Sequence, residues 1–242
     1  MDAQPADIPP TNEPEANPMP APETASKPPA RVRPQAKKTV KIPIPEELLI
    51  LTIDDNGGVV PAPMKSMLRY GLAGAFLAEL VQANKIQLAE DRLIVAGNTL
   101  SGDALLDDIL SMITADNKPR KLGRWIQAIR IKLTIKQVAL RLVEHKAIVI
   151  EKKHYSWVIP YSAFPQVQAS AKYQVKQHLR GIVLAGEPAN PADIILLSLL
   201  KAGRFLGLVF TRDERKTADK KVDSLVQGEI FGETVAKLVA EK

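Results

Sequence analysis

The sequence predicts a mainly α-helical protein in which a single folded domain follows a disordered N-terminal tail. Three observations carry that expectation. Apolar residues recur at helical spacing through most of the chain beyond residue 42, and the stretches with strand character are short. Twelve of the 19 prolines lie in the first 45 residues, so the head of the chain differs in composition from the rest. The whole chain has 242 residues, 45% of them apolar and 25% charged, and no cysteine. A disulfide framework, a thiolate nucleophile and a Cys-ligated metal are therefore excluded.

Residues 1–41 are rich in Pro, Ala, Glu and Asn and nearly free of large apolar side chains. Such a segment cannot bury enough surface to offset its ordering entropy, so it is expected to be disordered. Its far end carries a basic run, Arg31, Arg33, Lys37, Lys38 and Lys41. Order is expected over residues 42–242, beginning where Pro45, Glu46 and Glu47 precede Leu48, Leu49 and Ile50 as in a helix first turn. Residues 63–84 place Met64, Met67, Leu68, Leu72, Phe76, Leu80 and Val81 at helical spacing around the small residues 71–75, which predicts a close-packed core helix.

Ile86 to Leu88 and Leu93 to Val95 read as a hairpin, followed by a helix over 103–115 capped by Ser101. Residues 121–129 and 135–146 are two further helical stretches. A second hairpin is expected where Ile148, Val149 and Ile150 precede Trp157, Val158 and Ile159, with Pro160 marking an edge. Residues 166–185, 192–206, 212–227 and 231–241 read as four more helices. No run reaches the roughly 20 apolar residues of a membrane-spanning helix, and no signal segment is evident at the start.

Little in the sequence points to catalysis. His145, His154 and His178 fall at no metal-binding spacing, and no nucleophile elbow, Walker loop or dinucleotide fingerprint occurs. Asp103, Asp107 and Asp108 sit where acids complement a helix N-terminus. The stronger signal is electrostatic. The formal net charge is +6, and residues 118–141 hold Lys118, Arg120, Lys121, Arg124, Arg130, Lys132, Lys136 and Arg141 without one acid. This run is either a solvated face or an anion site, with Lys132 and Lys136 on one face if a single helix carries both. The second hairpin sets Trp157, Val158, Ile159 and Tyr161 beside Lys152 and Lys153, the pattern of a wedge entering a lipid interface or of a packing contact. Nucleic acid is not expected, since the run lacks interleaved aromatics apart from Trp125.

The ordered series Pro45 to Leu51, Gly71 to Leu80, Ile86 to Leu88, Ser101 to Asp107 and Leu142 to Glu144 resembles the Golgi phosphoprotein 3 family in order and spacing. The resemblance covers about residues 42–242. It implies a central helical bundle surrounded by amphipathic helices and short β-hairpins, in a non-enzymatic protein held peripherally on the cytosolic face of a membrane, the Golgi membrane if the source is eukaryotic. Eukaryotic members bind phosphatidylinositol 4-phosphate and act as adaptors between glycosyltransferase tails and the coatomer coat, so no cofactor is implied. The expected partners are anionic phospholipids, protein tails as cargo, and a second copy of the chain.

Carried over residue by residue, the family's pocket Trp falls on Met64, its Arg in the small-residue helix on Ala73, and its two later Arg on Lys132 and Ile135. One charge stays in register. Arg69 and Lys65 precede Ala73 by one and two helical turns, so the expected headgroup residues are Lys132, Arg69, Lys136, Lys65 and Arg130. The membrane-inserting hairpin of the family maps to Trp157, Val158, Ile159 and Tyr161. A loop between Leu88 and Ser101 without the eukaryotic basic insert points to a bacterial member. The alternative reading is a soluble interaction adaptor that uses the same basic face and hairpin without lipid selectivity.

Overall fold

The computed structural model describes residues 42–54, 60–97, 99–116, 118–144 and 169–241. The proline-rich head and the whole second hairpin, with Trp157, Val158, Ile159 and Tyr161, lie outside the described residues, as do His145 and His154. Helix dominates what is described. The order is α1 (Ile44–Thr52), α2 (Ala62–Gln82), β1 (Ile86–Ala89), β2 (Arg92–Val95), α3 (Ala104–Thr114), β3 (Arg120–Lys121) and α4 (Leu122–Lys132). There follow α5 (Ile135–Glu144), α6 (Ala169–Arg180) with a π turn at Gly181–Ala185, α7 (Pro191–Ala202), a 3₁₀ turn at Leu206–Leu208, α8 (Arg215–Leu225) and α9 (Ile230–Ala240).

Helix α2 is the centre, in contact with α1, α3, α4, α7 and α9. Its small residues explain why so many neighbours reach it. A Cβ on Gly71 would stand 3.0 Å from Leu48 of α1, and one on Gly74 would meet Leu199 of α7 and Val235 of α9, each at 3.1 Å. Removing those methyls lets three helices approach one backbone, while Leu68, Leu72, Phe76, Leu77 and Leu80 fill the space between them. The surrounding helices are one-sided. Leu106, Ile109, Leu110 and Ile113 of α3, and Leu122, Trp125, Ile126 and Ile129 of α4, repeat the i, i+3, i+4, i+7 stripe and are buried.

The first hairpin pairs Ile86 with Val95 and Leu88 with Leu93. Its two-residue turn, Glu90 and Asp91, has positive φ at both positions (48° and 66°), which matches the twist of the flanking strands. A third strand, β3, adds Lys121 opposite Arg92 and Arg120 opposite Leu93, completing a small antiparallel sheet. Nothing in its two residues announced that pairing.

Three boundaries differ from expectation. Asp103, rather than Ser101, is the N-cap of α3 and accepts from the Leu106 amide at 2.9 Å, while Ser101 donates to Asp107. Helix α7 stops at Ala202, because Gly203 ends it and Arg204 turns left-handed at φ 61°. The basic stretch forms the two helices expected of it, but α4 runs on to Lys132 rather than ending at residue 129. Leu133 is extended, and Thr134 opens α5 through a reciprocal cap: the Gln137 amide donates to Thr134 Oγ1 at 3.2 Å and the Thr134 amide to Gln137 Oε1 at 2.9 Å. Lys132 and Lys136 therefore lie on either side of a break rather than four apart on one helix.

Candidate functional site: a cationic corner at the end of α4

The corner forms where the last turn of α4 meets the α2 side chains below it. A helix C-terminus exposes carbonyl oxygens and a partial negative charge, which favours cations. Arg69 of α2 supplies one: its Nε donates to Leu133 O at 3.2 Å and its Nη2 to Ile131 O at 3.0 Å. Arg130 lies over the Tyr70 ring, 4.4 Å from its centroid, and its buried Nε has no hydrogen-bond partner. Lys132, the last residue of α4, is exposed. Lys65, one turn before Arg69, is half-buried. Between Arg130 and Lys132, Ile131 is 68% exposed, an apolar side chain held in water among cations.

None of Lys65, Arg69, Arg130 and Lys132 has a carboxylate partner among the described residues. Arg69 thus closes α4 through Nε and Nη2, and its Nη1 has no partner among the described residues. Of the five cations expected from the sequence, the structure gathers Arg69, Arg130 and Lys132 around one helix end. Lys65 stands on the α2 side of that group, and Lys136 stands beyond the break in the exposed first turn of α5. The family-matched positions are mostly neutral and covered: Ala73 is fully buried, while Met64 and Ile135 are half-buried.

The basic run is less uncompensated than its sequence implies. Arg120 pairs with Asp116, and Lys121 with Asp91 at 3.2 Å. Arg141 is only 3% exposed and anchors α5 to three other parts of the chain. Its Nη1 donates to Glu46 at 3.1 Å and Glu79 at 3.0 Å, its Nη2 to Glu79 at 2.6 Å and its Nε to Asp103. One guanidinium cannot neutralise three carboxylates in a dry site. Burial, opposed by the Arg141 charge and reinforced by Glu79, pushes the Glu46 carboxyl up to about 8, so it is neutral at physiological pH. Burial works against the Arg141 charge, but its hydrogen bonds to Glu79 and Asp103 outweigh that cost and hold it more firmly protonated. This cluster ties the last turn of α5 to α1, α2 and the N-cap of α3.

His178, Asp103 and Asp107 have structural partners. His178 Nε2 lies 2.9 Å from Asp193 Oδ1, in keeping with a satisfied histidine. Asp103 and Asp107 do cap, Asp107 accepting from the Ser101 amide and hydroxyl, both at 2.7 Å, contacts that lower its pKa. Among the described residues no group of three or more His, Cys, Asp or Glu could hold a metal ion, and no helix is long and apolar enough to cross a membrane.

The fold and the corner define a mainly helical protein with a basic surface centred on one helix terminus. A model of the Golgi phosphoprotein 3 (GPP34) family matches residues 44–242, and the chain belongs to that family. The match takes in every described helix, from α1 to α9. The family is not a known enzyme family.

Proposed function

We propose that this is a peripheral membrane protein that binds anionic phospholipid headgroups through Arg69, Arg130 and Lys132, with Lys65 and Lys136 at the margins. Family membership supports a Golgi phosphoprotein 3-like role, and phosphatidylinositol 4-phosphate is the family-level expectation for the ligand. The observation that carries the reading is the corner itself. Three cations without carboxylate partners among the described residues, Arg69, Arg130 and Lys132, gather at a helix end that carries an exposed isoleucine, so one surface presents charge for phosphates and an apolar side chain for the interface. Trp157, Val158, Ile159 and Tyr161, which lie outside the described residues, are the further apolar group expected to meet the membrane. Lys132 meets a phosphate as a point charge and lacks the bidentate fork of arginine, so affinity for anionic lipid should exceed selectivity among anionic lipids.

Co-sedimentation with phosphatidylcholine vesicles, alone or doped with phosphatidylserine or phosphatidylinositol 4-phosphate, tests the proposal. Each cation near an anionic bilayer contributes on the order of 1 kcal/mol, so binding to the doped vesicles should exceed binding to neutral ones by at least about tenfold and weaken with salt. Equal sedimentation with neutral and anionic vesicles at low salt would rule it out. Lys65→Glu with Lys132→Glu is the informative variant, because among the described residues neither makes a hydrogen bond or ion pair that its loss would break.

A further inference from the structure

A cleft of about 300 Å³ lies between α3, α4 and the start of α5. Its apolar lining is Leu105, Ile109 and Met112 from α3, with Ile129 and Leu133 from the end of α4. Two opposite charges share it: Asp108 on α3 and Lys132 on α4, both exposed. They form no ion pair with each other, and neither has a hydrogen bond or ion pair among the described residues. Within the acidic trio, Asp108 alone is isolated among the described residues. Asp103 is taken up by the Leu106 amide and Arg141, and Asp107 by Ser101 and Gly102, so the capping role assigned to the acidic trio uses only two of its members. Gln137 also lines the cleft, and its Oε1 is occupied by Thr134, which leaves its amide N–H groups as donors.

An occupant that satisfies this lining is apolar at one end and carries both signs of charge at the other. A purely anionic headgroup would set negative charge against Asp108, and a cationic amphiphile would set positive charge against Lys132. A phosphate flanked by a primary ammonium meets both. A choline headgroup keeps the charges but replaces every N–H donor by a methyl, so it cannot hydrogen-bond a carboxylate. We propose that the cleft between α3, α4 and α5 binds an ethanolamine phospholipid, Lys132 meeting its phosphate, Asp108 its ammonium, and the apolar lining the first part of an acyl chain. The inference deepens the membrane reading and rests on it only for lipid as the ligand class.

The test uses the full chain with isotope-labelled methionine methyl groups and monomeric dihexanoylphosphatidylethanolamine as probe. Of the five methionines, Met112 lines the cleft, and a Met112→Leu variant assigns its signal. The ethanolamine lipid should shift Met112 with an affinity about fivefold above that of its choline counterpart, as befits one exposed ion pair. Asp108→Asn should abolish that preference, and Lys132→Met should weaken both lipids. Equal response to the two lipids, a preference that survives Asp108→Asn, a stronger response to dihexanoylphosphatidylglycerol, or a Met112 signal unmoved up to micelle formation would each overturn the inference. Since the probe is monomeric, the two proposals fail separately. A silent Met112 with normal sedimentation on anionic vesicles removes the cleft alone, and a shifted Met112 without sedimentation removes the recruitment reading alone.

Discussion

Arg141 and its three carboxylates set the pH behaviour of the core. Glu46 is fully buried, and its carboxyl, ordinarily near 4.5, stands near 8 in the folded protein. Between those values the folded state holds a proton that the unfolded chain has released. Stability from this group is thus complete below about pH 4.5 and is lost as pH rises through about 8. Glu46→Gln should keep the hydrogen bond from Arg141, remove that decline, and leave the variant more stable than the parent at pH 9 in chemical denaturation. Arg141→Met should cost about 3–5 kcal/mol at neutral pH, because it strands Glu79 and Asp103 without their cation. A variant with parental stability would mean that the carboxylates find another partner. At the acid end Glu214 behaves oppositely. Hydrogen bonds from Arg180 and the Thr211 amide hold it near 2, so its contribution is present above about 4.5 and fades as pH falls towards 2.

At the scale of elements, the tightest joints are where glycines of α2 and α9 meet other helices. A Cβ on Gly232 of α9 would fall 2.5 Å from the Cβ of Ser198 on α7, and the backbone of Ser198 is also within 2.8 Å. Gly232→Ala should therefore destabilise by about 1–3 kcal/mol, read from the midpoint of urea unfolding, whereas Gly123→Ala, with its nearest contact at 3.4 Å, should be tolerated. Much at this level was legible in the sequence, since apolar stripes on α3 and α4 and small residues on α2 are local patterns. Thr134 and Gln137 were legible too, as a capping box that separates Lys132 from Lys136, although charge spacing alone runs through it. Other features depend on distant partners. Arg141 reads as one more cation of a basic run because Asp103, Glu79 and Glu46 lie 38, 62 and 95 residues away. The pairing of β3 with β2 and the tie from Arg69 to the end of α4 are equally non-local. In the corner, Lys132 and its neighbours could be named from sequence, but not that Arg69 is partly committed to carbonyl oxygens, nor that Ala73 is sealed in the core.

For the whole molecule, the question is whether the net charge of +6 or its placement governs attraction to an anionic surface. Long-range attraction follows total charge, but contact within a Debye length, about 8 Å at physiological salt, depends on which cations face the lipid. Lys216 and Lys220 of α8 offer a control, since both are exposed and α8 packs on α7 and the π turn rather than on α4 or α5. Reversing them to Glu, or reversing Lys65 and Lys132, removes four units of charge in either case and takes +6 to +2. If placement governs, the pair at the corner should weaken binding to phosphatidylserine vesicles by at least about tenfold at physiological salt, and the α8 pair should change it by less than about threefold. At low ionic strength the two variants should converge, because the Debye length then spans the molecule. Equal losses at physiological salt would mean that the corner is an ordinary solvated surface and that recruitment, where it occurs, is a property of charge in bulk.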